Sequence, residues 1–136
     1  MVKVVLYPVN LATESTLEDV KTAVESISSS SGVIEPATVV GVCTAAYTTA
    51  LSLACAGVSK KTVIVVNTDA ALAMKYRIRG YAKSGSSYYN EIQAEATLAA
   101  STSQPHVIEN YYDLITVEVI DGTGHATYAI DYAGGQ

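Results

Sequence analysis

The sequence predicts a mainly β fold, an antiparallel β-sandwich of the Ig-like or jelly-roll type, preceded by one short N-terminal α-helix. Three observations carry this. From Ala37 onward, short segments alternate apolar and polar residues with a period of two, the period of a half-buried strand. Gly-, Ser- and Asp-rich turns separate them. A helical period occurs in one place only, between Ser15 and Ile27.

Taken in order, Val2, Val4 and Leu6 alternate with Lys3, Val5 and Tyr7 and predict a strand that Pro8 ends. Ser15 and Glu18 form a capping box, in which the hydroxyl and the carboxylate satisfy the first free amides of a helix. Leu17, Val20, Val24 and Ile27 then fall on one helical face, with Glu18, Asp19, Lys21 and Glu25 off it. Ser28–Ser31 and Gly32 end the pattern and read as a flexible connector. The chain therefore divides into an arm, 1–31, and a sandwich domain, 32–136.

Within the sandwich, 43–57 is Ala-rich, but Tyr47, Thr49, Leu51, Leu53 and Cys55 share one side of a strand. Thr62–Val66 is apolar on both faces, as in a central strand. Leu72, Met74, Tyr76 and Ile78 oppose Lys75, Arg77 and Arg79. In 91–98, helix propensity conflicts with a period of two, and the period is followed. Ile115, Val117 and Val119 form a strand that Asp121-Gly122-Thr123-Gly124 turns into a closing hairpin through Tyr128, Ile130 and Tyr132. No strand is read between Leu98 and Ile115.

Composition limits function. At 136 residues, 49% hydrophobic and 15% charged, the chain fits one domain and is too apolar for disorder. Its aromatic residues are ten Tyr with no Phe or Trp, which suits half-buried sheet faces and contact surfaces. The first eight residues lack the features of a signal peptide, and the weakly polar stretch 42–58 is too short and too rich in Thr and Ser for a membrane span, so a soluble chain is expected. A net charge of −5 argues against nucleic acid as a partner. The charge is lopsided: residues 1–83 hold all eight basic residues against six acidic ones, and 84–136 hold seven acidic residues alone.

No catalytic, cofactor or metal site is read. His106, beside Pro105, and His125, in the final hairpin, lack a neighbouring nucleophile motif and read as turn or surface residues. No His/Cys/Asp cluster has ligand spacing, and Asp121–Gly124 lacks the acidic repeat of a calcium loop. Glu91, Glu95 and Glu118 fit solvated faces better than a glycosidase pair. No glycine-rich phosphate loop precedes a helix. Cys43 and Cys55 fit either a disulfide between adjacent strands or two small buried hydrophobes. One stripe stands out: Lys75, Arg77 and Arg79 project together from one strand, either as a solvated, aggregation-blocking face or as a subunit-contact site for an acidic neighbour.

Two stretches resemble known proteins. Asn10-Leu11-Ala12-Thr13-Glu14-Ser15-Thr16-Leu17 resembles the start of short helices in phage and virus structural proteins. Thr62–Ala82, with Val66-Asn67-Thr68-Asp69 and the strand to Tyr81, is similar to β-sandwich modules of virion decoration, tail and fibre proteins, and Thr116–Tyr132 looks like their closing hairpin. This resemblance of composition and rhythm carries over no functional residues. It implies a non-enzymatic subunit that assembles with itself, and with other virion or filament proteins, into a virion or extracellular assembly. The alternative is a monomeric binding module for a surface or an acidic partner.

Overall fold

A computed structural model describes residues 32–122 and 125–136. The expected strand at 2–9 and helix at 15–27 lie outside them. The described residues form eight strands: β1 (Ile34–Val42), β2 (Thr48–Ala54), β3 (Lys60–Asn67), β4 (Met74–Tyr81), β5 (Asn90–Leu98), β6 (Ser103–Ile108), β7 (Leu114–Ile120) and β8 (Thr127–Gly135). They build two four-stranded antiparallel sheets, ordered β1-β8-β3-β6 and β2-β7-β4-β5. Consecutive strands mostly alternate between sheets, which is the jelly-roll arrangement of a double-sheet sandwich. Among the described residues no helix is long and apolar enough to cross a membrane.

The period of two places the core. Val63 and Val65 of β3, Met74, Tyr76 and Ile78 of β4, Ile115, Val117 and Val119 of β7, and Ile130 of β8 point inward and are almost completely buried. β3 is an inner strand of its sheet, as its apolar run predicts. The Ala-rich segments within 43–57 and 91–98 are strands, because their inward residues Leu51, Leu53 and Leu98 complete this core.

Three expectations need correction. Ile115–Val119 and Tyr128–Tyr132 do not form a hairpin: β7 pairs with β2 and β4, whereas β8 pairs with β1 and β3. The Asp121 connection crosses between sheets instead. Its backbone N–H donates to Thr44 O (2.9 Å), and its carboxylate accepts from Ala126 N (2.6 Å). Tyr47 and Thr49 do not share a side with Leu51, because a register shift between Thr49 and Leu51 switches the side-chain alternation and places Thr49 opposite the outward Glu118. Finally, His106 is not in a turn. It lies on β6, an edge strand paired with β3, and points inward, with Nε2 2.8 Å from Tyr76 Oη and the two rings edge to face. Edge strands tolerate Pro105.

Packing is close where glycine lies beneath tyrosine, at Gly41 and Gly80. A Cβ at Gly80 would come 2.5 Å from the Tyr112 ring, which is held in place by Asn90 Nδ2 donating to its hydroxyl (2.7 Å). Gly80→Ala should therefore lower stability by about 1–3 kcal/mol through overpacking. Gly135→Ala, where a Cβ meets nothing within 4 Å, should stay within about 0.5 kcal/mol. Urea midpoints of both variants check this, and equal midpoints would refute it. A second prediction concerns His106, whose pKa is lowered by burial. Between that lowered value and about 6.5, the unfolded chain binds a proton that the folded chain refuses, so stability rises with pH there. Wild-type urea midpoints should fall as pH drops below about 6.5, and His106→Gln should flatten that part of the profile. An unchanged profile would show that His106 protonates freely in the folded state.

Candidate functional site

The two sheets present outer faces of opposite character. On the β2-β7-β4-β5 sheet, Lys75, Arg77 and Arg79 project outward from β4, as the alternation requires. β4 lies between β5 and β7, so the stripe meets acidic residues of its own sheet. Arg77 stands opposite Glu118 in the register, and Arg79 stands opposite Glu91. Arg77 Nη2 donates to Glu118 Oε1 (2.9 Å), Arg79 Nη1 lies 3.4 Å from Glu118 Oε2, and Lys75 Nζ lies 3.7 Å from Glu95 Oε1. The guanidinium carbons stack on tyrosines, Arg77 at 3.6 Å from the Tyr47 ring centre and Arg79 at 3.9 Å from that of Tyr89.

Shielding differs along the stripe. The Glu118 side chain is 14% exposed and that of Lys75 is 52% exposed, so the shared carboxylate is sheltered while the Lys75–Glu95 pair sits in solvent. An exposed pair of that kind contributes little to stability, because solvent screens it. The hydrogen bond from Tyr47, more than the Lys75 charge, holds Glu95 below the usual carboxylate range. Burial, then Glu95, pushes the Tyr47 phenol up to about 12. Arg77 Nε, Arg79 Nε and Thr116 Oγ1 are buried without a hydrogen-bond partner inside the subunit. The basic first part of the chain and its acidic remainder thus meet on one face of one subunit.

The outer face of the β1-β8-β3-β6 sheet is mainly apolar. Cross-strand registers define its rows: Val40, Ala129, Val66 and Ser103; then Thr38, Asp131, Ile64 and Pro105; then Ala133, Thr62 and Val107. Val40 is 76% exposed and Val107 61%, and Val42 at the end of β1 is 53% exposed. One charge lies on these rows, Asp131, and it accepts a hydrogen bond from Thr38 Oγ1 (2.5 Å). A hollow of about 360 Å³ opens among Pro36, Thr38, Thr62, Ile64, Asp131 and Ala133. Sequence reasoning missed this face. Its signal was the apolar run Thr62–Val66, whose outward members Ile64 and Val66 have no second layer above them among the described residues.

Elsewhere, a polar cleft of about 470 Å³ lies between β5 and β6, lined by residues that include Asn90, Glu91, Glu109 and Asn110. Among the described residues no group of three or more His, Cys, Asp or Glu could hold a metal ion. Cys43 and Cys55 are free and completely buried. Burial, then the Asp121 charge, pushes the Cys43 thiol up to about 11, and burial also raises that of Cys55, which lies 3.2 Å from Tyr112 O.

Fold and surface together define an eight-stranded jelly-roll module with one apolar and one ion-paired outer face. No protein-family model matches the chain, and no curated protein sequence matches it. Among solved structures it is similar to a protein of the Bacillus endospore appendages, a family of disulfide-linked pili, at 10% identity and a TM-score of 0.53, over 76% of this chain and 88% of that one. It also aligns with PirA (12% identity, TM-score 0.49, 73% of this chain and 91% of that one) and with a Yersinia pseudotuberculosis-derived mitogen (15%, 0.47, 75% and 86%). The likeness to the appendage protein is one of fold alone.

The ion-paired face makes a direct prediction. Glu118→Gln leaves two sheltered guanidinium groups without their shared carboxylate, and stability should fall by about 1–3 kcal/mol. Glu91→Gln, at an exposed position, should change it by less than about 0.5 kcal/mol. Urea denaturation of both variants checks the difference, and equal, small effects would show that Glu118 does not anchor the stripe.

Proposed function

We propose that this chain is a non-enzymatic structural subunit that assembles with copies of itself into an extracellular or virion-associated particle or filament. The observation that carries this is the apolar outer face of the β1-β8-β3-β6 sheet, where Val40, Val42 and Val107 stand more than half exposed. A sandwich that lives alone gains nothing from an uncovered apolar sheet face, whereas an assembling one buries it. The fold likeness to a protein of the Bacillus endospore appendages, a family of pili, supports the reading. Lys75, Arg77 and Arg79 take part as a register-setting contact: Lys75 offers the solvent-exposed charge, while Arg77 and Arg79 are held rigid by Glu118. Exposed Tyr88 and Tyr111 add contact area beyond the sheet faces.

One observation favours the second reading, a monomeric attachment module: the polar cleft between β5 and β6 has the size of a small-ligand site.

The assembly would be non-covalent. Cys43 and Cys55 are the chain's two cysteines, both are buried, and neither thiol is easily ionised. Light scattering and electron microscopy of the full chain at rising concentration should show ordered oligomers that a thiol reductant leaves intact. A monomer throughout would refute assembly and favour the attachment module, whereas oligomers that dissolve in reductant would refute the non-covalent contact.

A further inference from the structure

Resting on the self-assembly reading, we infer that the apolar outer face of the β1-β8-β3-β6 sheet is the dock for residues 15–27 of a second copy of this chain. The face and the segment match in size. Rows on one face of a strand lie about 7 Å apart, so the three rows and Val42 extend roughly 20 Å along the strands. Four strands at about 4.8 Å spacing make the face about 14 Å wide, room for one helix about 10 Å across. The segment has thirteen residues, about 20 Å of helix, and its sequence sets Leu17, Val20, Val24 and Ile27 on one face.

They also match in chemistry. The rows offer Val40, Ala129, Val66, Ile64, Pro105 and Val107 with a single charge, and the hollow beside Pro36 has room for a branched side chain. The polar residues of the segment, Glu18, Asp19, Lys21 and Glu25, fall off its apolar stripe and stay in water when the stripe is covered. Residues 1–31 join the body at Gly32, ahead of the edge strand β1, through Ser28–Ser31, which reach at most about 14 Å. A segment seated on the next body links subunits head to tail, the heterologous contact that propagates into rings or filaments.

The test uses the full chain carrying single added cysteines. Val20→Cys and Val40→Cys proteins are mixed, oxidised and run on a non-reducing gel, with wild type as the background for Cys43 and Cys55. A covalent heterodimer well above that background is expected, together with a ladder of oligomers from the double variant. In parallel, Val40→Asp, at an exposed position, should keep the wild-type urea midpoint while the assembled fraction falls at least tenfold at equal concentration. An intrachain link in the double variant, migrating as a compact monomer, would overturn the proposal in favour of a segment lying on its own sheet. Absence of any link while wild type still assembles would overturn the dock and leave the self-assembly reading standing. A wild-type chain that stays monomeric would remove that reading itself.

Discussion

Strand β3 fixes the two ends of the sandwich, and much of the remaining structure follows from that. Its inward residues run Lys61, Val63, Val65 and Asn67, all completely buried. The valines fill the space between the sheets, and the polar residues close its ends. Asn67 donates to Leu72 O (2.8 Å) and Leu98 O (3.0 Å) and accepts from Asp69 N (3.0 Å), which ties the β3–β4 crossing to the end of β5. Lys61 Nζ donates to Val58 O (3.1 Å) and Asn110 O (2.7 Å), joining the start of β3 to the β6–β7 connection. A buried ammonium or amide is costly unless its hydrogen bonds are made, so these residues specify how the connections run as well as stabilising them.

With the interior settled, the outer faces are free to differ. On the β2-β7-β4-β5 sheet, the charged outward residues of β4 find acidic partners across strands, and Glu118 serves both Arg77 and Arg79. This follows from topology: the roll places basic β4 between acidic β5 and β7, so a chain that is lopsided in sequence becomes balanced on that face. On the other sheet, outward positions of β1, β3 and β8 include Val40, Ile64, Val66, Ala129 and Ala133 beside Thr38, Thr62 and Asp131, and nothing among the described residues lies over them. The first face has its basic stripe ion-paired within the subunit. The second gains most from a partner, because covering apolar surface is the larger and less salt-sensitive contribution.

How far the sequence disclosed this depended on whether a feature was local. β4 was legible because Met74, Tyr76 and Ile78 alternate with Lys75, Arg77 and Arg79. β2 and the body of β5 were legible because a period of two outweighed the helix preference of alanine. β6 was not, because Gln104, Pro105 and His106 look like loop chemistry until pairing with β3 turns His106 toward Tyr76. The β7–β8 link looked like a hairpin because turn residues join two alternating segments, yet each strand finds its partners far away in sequence. The side taken by Tyr47 depended on the bulge near Ala50, which no alternation rule anticipates. Of the candidate site, the stripe could be read but its partner Glu118 could not, since forty-one positions separate Arg77 from it.

The run Thr62–Val66 shows how one sequence feature bears on both fold and function. A strand apolar on both faces is expected where each face is covered, and β3 is indeed interior to its sheet, yet only its inner face meets a second layer among the described residues. Interior position within a sheet accounts for paired backbone groups, and it does not account for apolar side chains on the outer face. Ile64 and Val66 therefore need a different reason from Val63 and Val65. The same holds for Val40 and Ala129, which lie in register with Val66 across three strands, and for Ala133 in the row of Thr62. A mainly apolar surface built from separate parts of the chain is hard to attribute to one substitution-tolerant position. It is a surface suited to being covered, and a body whose opposite face already pairs its basic stripe with its own carboxylates leaves that surface as the place where a further contact has the most to contribute.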